Sequence, residues 1–172
     1  MDVLLVDGYN IIGAWDELIK LREKDIAQAR KRLIERMEEY QAYAGNRIII
    51  VFDALYVKGT EHRQLFNGVE IIYTRENETA DECIERLVKS LKNVNNEVYV
   101  ATSDYMEQRT IFSRGALRMP ARELQLNIEH FESNVPLEID TTQRQERQVK
   151  DQIDAEILSK LEEMRRRKRN KM

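Results

Sequence analysis

Two short apolar runs, each closing on an aspartate, set the frame of the chain. Val3–Asp7 (VLLVD) and Arg47–Asp53 (RIIIVFD) show no alternation of polar and apolar positions, which is the pattern of strands covered on both faces rather than of a half-exposed edge. Between them, Ile26, Ala29, Leu33, Met37, Tyr40 and Ala44 recur every three or four residues. This spacing predicts a helix over Asp25–Tyr43, capped by Asp25 and ended by Gly45. Val69–Thr74 (VEIIYT) and Glu97–Thr102 (EVYVAT) predict a third and a fourth strand. Thr79 opens a second helix, in which Ala80, Ile84, Leu87, Val88 and Leu91 form one stripe. Residues 105–113 and 119–132 read as helices on either side of a break at Gly115. Strands alternating with helices imply an α/β fold, a mainly parallel sheet with helices on both faces. In such sheets ligands bind beyond the carboxyl ends of the strands.

After Pro136 the pattern changes to a polar segment with a narrow apolar seam at Val149, Ile153, Ile157, Leu161 and Met164, read as a long C-terminal helix. The expected division is thus a domain over 1–135 and a charged helix with a basic tail over 136–172, within the 172 residues that suit one domain. Net charge is −3, unevenly spread: residues 1–140 carry net −7 and residues 141–172 net +4. Six of the last eight residues are Lys or Arg, a block that binds polyanions by releasing their counterions, or forms a solvated helix end. No apolar run approaches the ~20 residues of a membrane span, and no export signal is visible. A cytoplasmic protein without membrane contact is expected. Cys83 is the lone cysteine, which excludes an internal disulfide and a cysteine-based zinc site. Any metal must therefore be held mostly by oxygen.

Three predicted strands end at or beside an acidic residue, Asp7, Asp53 and Asp104, and the topology puts those ends along one sheet edge. Glu78, Asp81 and Glu82 add carboxylates where the second helix starts, with i, i+3 and i+4 spacing near one face. Crowded carboxylates raise one another's pKa and destabilise the fold unless a cation lies among them. Oxygen-only ligation suits Mg²⁺ or Mn²⁺, and such an ion can polarise a phosphodiester and activate water for in-line attack. The bland alternative is that these groups cap helices and satisfy dipoles. In Asp7-Gly8-Tyr9-Asn10, Gly8 permits a tight turn after the strand and Asn10 supplies an amide beside the presumed metal. His62 and His130 sit in no strand-end motif and read as surface residues, so metal-free acid–base cleavage lacks its usual groups. Candidate contacts for a nucleic-acid strand are Arg109, Arg114, Arg118 and Arg122, the last three spaced i, i+4, i+8, and the loop 54–68 with Tyr56, Lys58, His62, Arg63 and Phe66; that the strand is RNA is what the resemblance below implies.

The segments LLVDGYNII (4–12), VFDA (52–55), TRENETADECIE (74–85), VATSDYMEQ (100–108) and GALRMPAREL (115–124) resemble the YacP-like branch of the NYN-domain ribonucleases, within the PIN-like nuclease superfamily, over roughly residues 1–130. The resemblance implies a three-layer α/β/α PIN-like fold and a divalent-metal endoribonuclease. Its acidic centre would fall on Asp7, Asp81 and Asp104, with Asn10 matching the family's asparagine. Asp53 and Glu78 lie in shared motifs as further candidate metal ligands. Relatives in this branch have been linked to translating ribosomes, so the resemblance also implies mRNA and the ribosome as partners. Two other readings stand beside it. A receiver-like phosphoacceptor domain needs a lysine at the end of its last strand, and none occurs between Lys92 and Lys150. A non-catalytic RNA- or ribosome-binding module would keep the same fold and use the basic tail as its anchor.

Overall fold

The structure, a computed structural model, describes residues 2–54 and 61–134. The chain divides into two units, Met1–Glu129 and His130–Met172, and the sheet lies in the first. Elements run β1 (Val3–Asp7), α1 (Gly8–Ile12), α2 (Asp16–Lys24), α3 (Ile26–Ala44), β2 (Arg47–Phe52), β3 (His62–Phe66), β4 (Val69–Tyr73), α4 (Ala80–Leu91), β5 (Val98–Thr102), α5 (Tyr105–Ser113) and β6 (Leu117–Pro120), followed by helical residues 121–134. Among the described residues six strands form one sheet in the order β3-β4-β2-β1-β5-β6. Every pairing is parallel except β3 with β4. The fold is a three-layer α/β arrangement, as the pattern of strands and helices implies.

Alternating side chains of each inner strand enter two different cores, which is why these strands read as unbroken apolar runs. Leu4, Val6, Ile48, Ile50 and Phe52 face Leu18 of α2, Leu33 and Met37 of α3, and Leu124 and Ile128. Val3, Leu5, Ile49, Val51, Val98 and Val100 face Ile84, Leu87 and Val88 of α4 and Ile111 of α5. Trp15, fully buried, donates its indole N–H to the Ala121 carbonyl at 2.9 Å, fixing the α1–α2 turn against the start of the last helical stretch.

The caps are where the spacing places them. Asp25 accepts from the Ala27 N–H at 2.9 Å, and Gly45 closes α3 in the left-handed region at φ 68°. Thr79 and Glu82 form a reciprocal capping box on α4. Other expectations need correction. The stretch read as the loop 54–68 contains β3, joined to β4 by Asn67-Gly68, both at positive φ, a two-residue hairpin turn. Residues 119–120 are not helical but end β6, an edge strand on β5. α1 and α2 occupy a stretch for which the spacing predicted nothing. The predicted C-terminal helix and basic tail, 136–172, lie outside the described residues, as do Tyr56 and Lys58.

Candidate active site

Because β2, β1 and β5 are neighbours and parallel, their carboxyl ends emerge side by side. Asp7 is the last residue of β1 and the N-cap of α1, its Oδ1 accepting from the Asn10 N–H at 3.1 Å. Asp53 follows β2 directly. Asp104 follows β5 and starts α5, its Oδ1 accepting from the N–H of Met106 at 2.8 Å and of Glu107 at 3.4 Å. Asp81 lies in the first turn of α4. Asn10 ties the turn after β1 to the turn after β5, because its Oδ1 accepts from both the backbone N–H and the hydroxyl of Ser103. Among the described residues its side-chain NH₂ donates to nothing.

Asp7, Asp81 and Glu107 each bring a carboxylate oxygen within 4.8 Å of the other two. Glu107 is buried, and neither of its carboxylate oxygens has a hydrogen-bond partner. Burial, opposed by the nearby Thr102 side chain and reinforced by the charges of Asp7, Asp81 and Asp104, pushes its pKa up to about 8. Asp7 rises to about 6, through burial first and then the charges of Asp81, Asp53 and Asp104, against the lowering effect of the Asn10 N–H. Asp81 is also raised, by burial and then by Asp104. Asp53 and Asp104 therefore lie close enough to act on the cluster electrostatically. Their charges add to a cluster in which the two Glu107 oxygens are buried without a partner. Hard oxygen donors without counter-cations, two of them buried and unsatisfied, fit a hard divalent ion such as Mg²⁺ or Mn²⁺.

Glu78 is drawn away from this cluster. Its side chain, 9% exposed, accepts from Arg86 at 3.0 Å and Arg75 at 3.2 Å. These hydrogen bonds outweigh burial and hold its pKa below the ordinary value. It groups instead with Glu61 and Cys83, around Arg86. Gly8 is also not a tight-turn glycine. It is the first residue of α1, and a Cβ there would collide with the Phe52 ring. The glycine lets α1 start against the sheet, and so sets where Tyr9 and Asn10 fall.

The arginines do not form one row. Arg109 is on α5, Arg114 beyond it and paired with Glu85 at 3.6 Å, Arg118 on β6 and Arg122 on the final helical stretch. β6 breaks the i, i+4, i+8 alignment. Arg63 on β3 pairs with Glu61. His62 and His130 are both exposed. The residue that spacing missed is Glu107. It sits three positions after the capping Asp104, where a capping-box glutamate would reach back to the cap's own N–H. Here the Asp104 N–H donates to Thr102 Oγ1 at 3.1 Å instead, and the Glu107 carboxylate turns into the cluster.

The YacP-like NYN domain family matches the chain over residues 4–166. The chain belongs to this family. It is 48% identical over 166 residues to the uncharacterized protein YacP of Bacillus subtilis (strain 168), covering 96% of this chain and 98% of that protein. The crystal structure of Rae1 (YacP) from Bacillus subtilis matches with a TM-score of 0.73 over 96% of this chain and 95% of that one. A tryptophan-to-leucine mutant of Rae1 gives the same score over 82% of this chain and 83% of that one. The likeness thus extends well beyond residue 130, into the C-terminal segment that the motifs alone left unmatched. NYN domains are nuclease-like, and the family implies RNA as substrate. Among the described residues, no helix of this NYN domain is long and apolar enough to cross a membrane.

Proposed function

We propose that this NYN domain is a divalent-metal-dependent endoribonuclease that cleaves RNA phosphodiester bonds by attack of water. The observation carrying this reading is the convergence of Asp7, Asp81 and Glu107, from β1, α4 and α5, to within 4.8 Å of one another. These three side chains would hold Mg²⁺ or Mn²⁺, with Asp53 and Asp104 adding negative charge around the ion. The ion supplies a Lewis acid that polarises the scissile phosphate and acidifies water. Asn10, with its Oδ1 fixed by Ser103, is oriented to donate its NH₂ to a phosphate oxygen or a water. No histidine lies among these groups to serve as a protein acid or base.

Affinity for RNA has to overcome a body of net −7 over residues 1–140. Exposed Arg109, Arg118 and Arg122 and the basic residues after 164 are the local cations for phosphates. The acidic body is poorly suited to capturing free RNA, which supports RNA presented by a larger assembly; the resemblance to the YacP-like branch is what suggests mRNA on the ribosome, in the cytoplasm, as that setting. Incubating the full chain with RNA in Mn²⁺, Mg²⁺ or EDTA tests the chemistry. Cleavage is expected to need the metal and to fall at least ~100-fold in Asp7→Asn, Asp81→Asn and Glu107→Gln. Cleavage surviving EDTA, or surviving Asp7→Asn and Asp81→Asn, would overturn the assignment. Efficient cutting of naked RNA at physiological salt would overturn presentation by a larger assembly.

A further inference from the structure

A cleft of about 450 Å³ lies between α3 and the β3–β4 hairpin, walled by Arg30, Lys31, Ile34, Phe66, Ile71 and Tyr73. α3 leads into β2 and so runs against the parallel strands, which brings its first turns, with Arg30, to the sheet edge where Asp7 sits. Arg30 donates to the Tyr9 hydroxyl at 3.0 Å, two residues from Asp7. Aromatic rings continue from there, with Tyr9 edge-on to Phe52 at 5.1 Å and Phe52 stacked on Tyr73 at 5.6 Å. Phe66, at the far side of the cleft, is 53% exposed. Among the described residues no carboxylate pairs with Arg30. The cleft's own acids are Glu35, paired with Lys31 and Arg32, and Glu38, whose Oε2 accepts from the Asn67 amide while its Oε1 is buried without a partner.

We propose that this cleft is a nucleotide subsite of the nuclease, in which Phe66 takes up a base of single-stranded RNA while Arg30 holds a phosphate further along the strand. The subsite rests on the endoribonuclease reading and places the strand along α3 toward Asp7. An exposed aromatic face in line with a cation that no carboxylate pairs is the chemistry of sequence-tolerant single-strand binding. An apolar peptide would gain nothing from Arg30, whereas an RNA strand joins the cleft to the acidic cluster.

Binding of a fluorescent single-stranded RNA oligonucleotide to the full chain, measured by anisotropy in EDTA, tests this directly. Phe66→Ala and Arg30→Gln are expected to weaken binding roughly 5- to 100-fold, with Phe66→Tyr close to the parent. In cleavage assays with Mn²⁺ the same two variants should raise KM far more than they lower kcat. Each variant is checked for an unchanged melting temperature. Unchanged oligonucleotide affinity in folded Phe66→Ala and Arg30→Gln overturns the subsite, even if Asp7→Asn abolishes cleavage. Weakened binding in those variants, with cleavage persisting in Asp7→Asn, upholds the subsite and overturns the catalytic assignment alone.

Discussion

Glu107 shows how one buried carboxylate couples stability to pH. Its folded pKa near 8 lies above the ordinary value of 4.5, and Asp7 moves the same way, from 3.8 to about 6. The folded state then binds protons more tightly than the unfolded one. Stability of the metal-free protein should accordingly fall as pH rises from about 4.5 to about 8 and level off above. Thermal melts from pH 5 to 9 in EDTA check the slope, and excess Mn²⁺ should abolish it by stabilising the charged forms. Glu107→Gln removes the titrating group. It should stabilise the metal-free protein at pH 8 by on the order of 1–3 kcal/mol while weakening Mn²⁺ binding at least ~10-fold. Gly8 is fixed by packing rather than by charge. The Phe52 ring occupies the space a Cβ would need, so Gly8→Ala should cost about 1–3 kcal/mol by overpacking, read as a lowered urea midpoint.

At the scale of elements, the site is an assembly of helix starts. α1 is capped by Asp7, α4 carries Asp81 in its first turn, and α5 is capped by Asp104 and presents Glu107. Cap and site are thus the same structure in three places. Thr79 bonds the Glu82 N–H at 3.2 Å, and Glu82 bonds back to the Thr79 N–H at 3.0 Å. Thr79→Ala should therefore cost about 0.5–2 kcal/mol. Because the frayed turn carries Asp81, it should also weaken Mn²⁺ binding, measured by titration at a temperature where the fold is intact. The Arg86 network with Glu61 and Glu78 ties the start of the β3–β4 hairpin to α4. It keeps Glu78 out of the cluster of Asp7, Asp81 and Glu107.

At the scale of the molecule, charge is split between net −7 over residues 1–140 and net +4 over residues 141–172. Ending the chain after residue 164 removes six cations. The dependence of RNA affinity on salt should become shallower if those cations touch phosphates, by about 0.7 in the logarithmic slope for each single-strand phosphate they neutralise. Binding isotherms between low and moderate salt measure this, and an unchanged slope would assign phosphate binding to the body.

The amino-acid sequence by itself determined the inner strands, the α3 and α4 stripes, their caps, and the acidic residues at the carboxyl edge. Each of these is written in local patterns: unbroken apolar runs, a helical repeat, a capping residue, an aspartate where a strand stops. The Asn67-Gly68 hairpin lies in a stretch that reads as part of a loop, because β3 is exposed throughout and carries no apolar alternation to mark it as a strand. β6 has neither β-branched residues nor a buried face, and only pairing with β5 makes it a strand. Which carboxylates share a pocket was settled by tertiary structure alone. Glu78 and Glu107 look alike along the chain, but Arg75 and Arg86 neutralise one, while the packing of α5 on β5 buries the other without a partner. Side-chain charge is a local property, whereas desolvation and counter-charge come from residues distant in sequence, and those two quantities decide where a hard cation can bind.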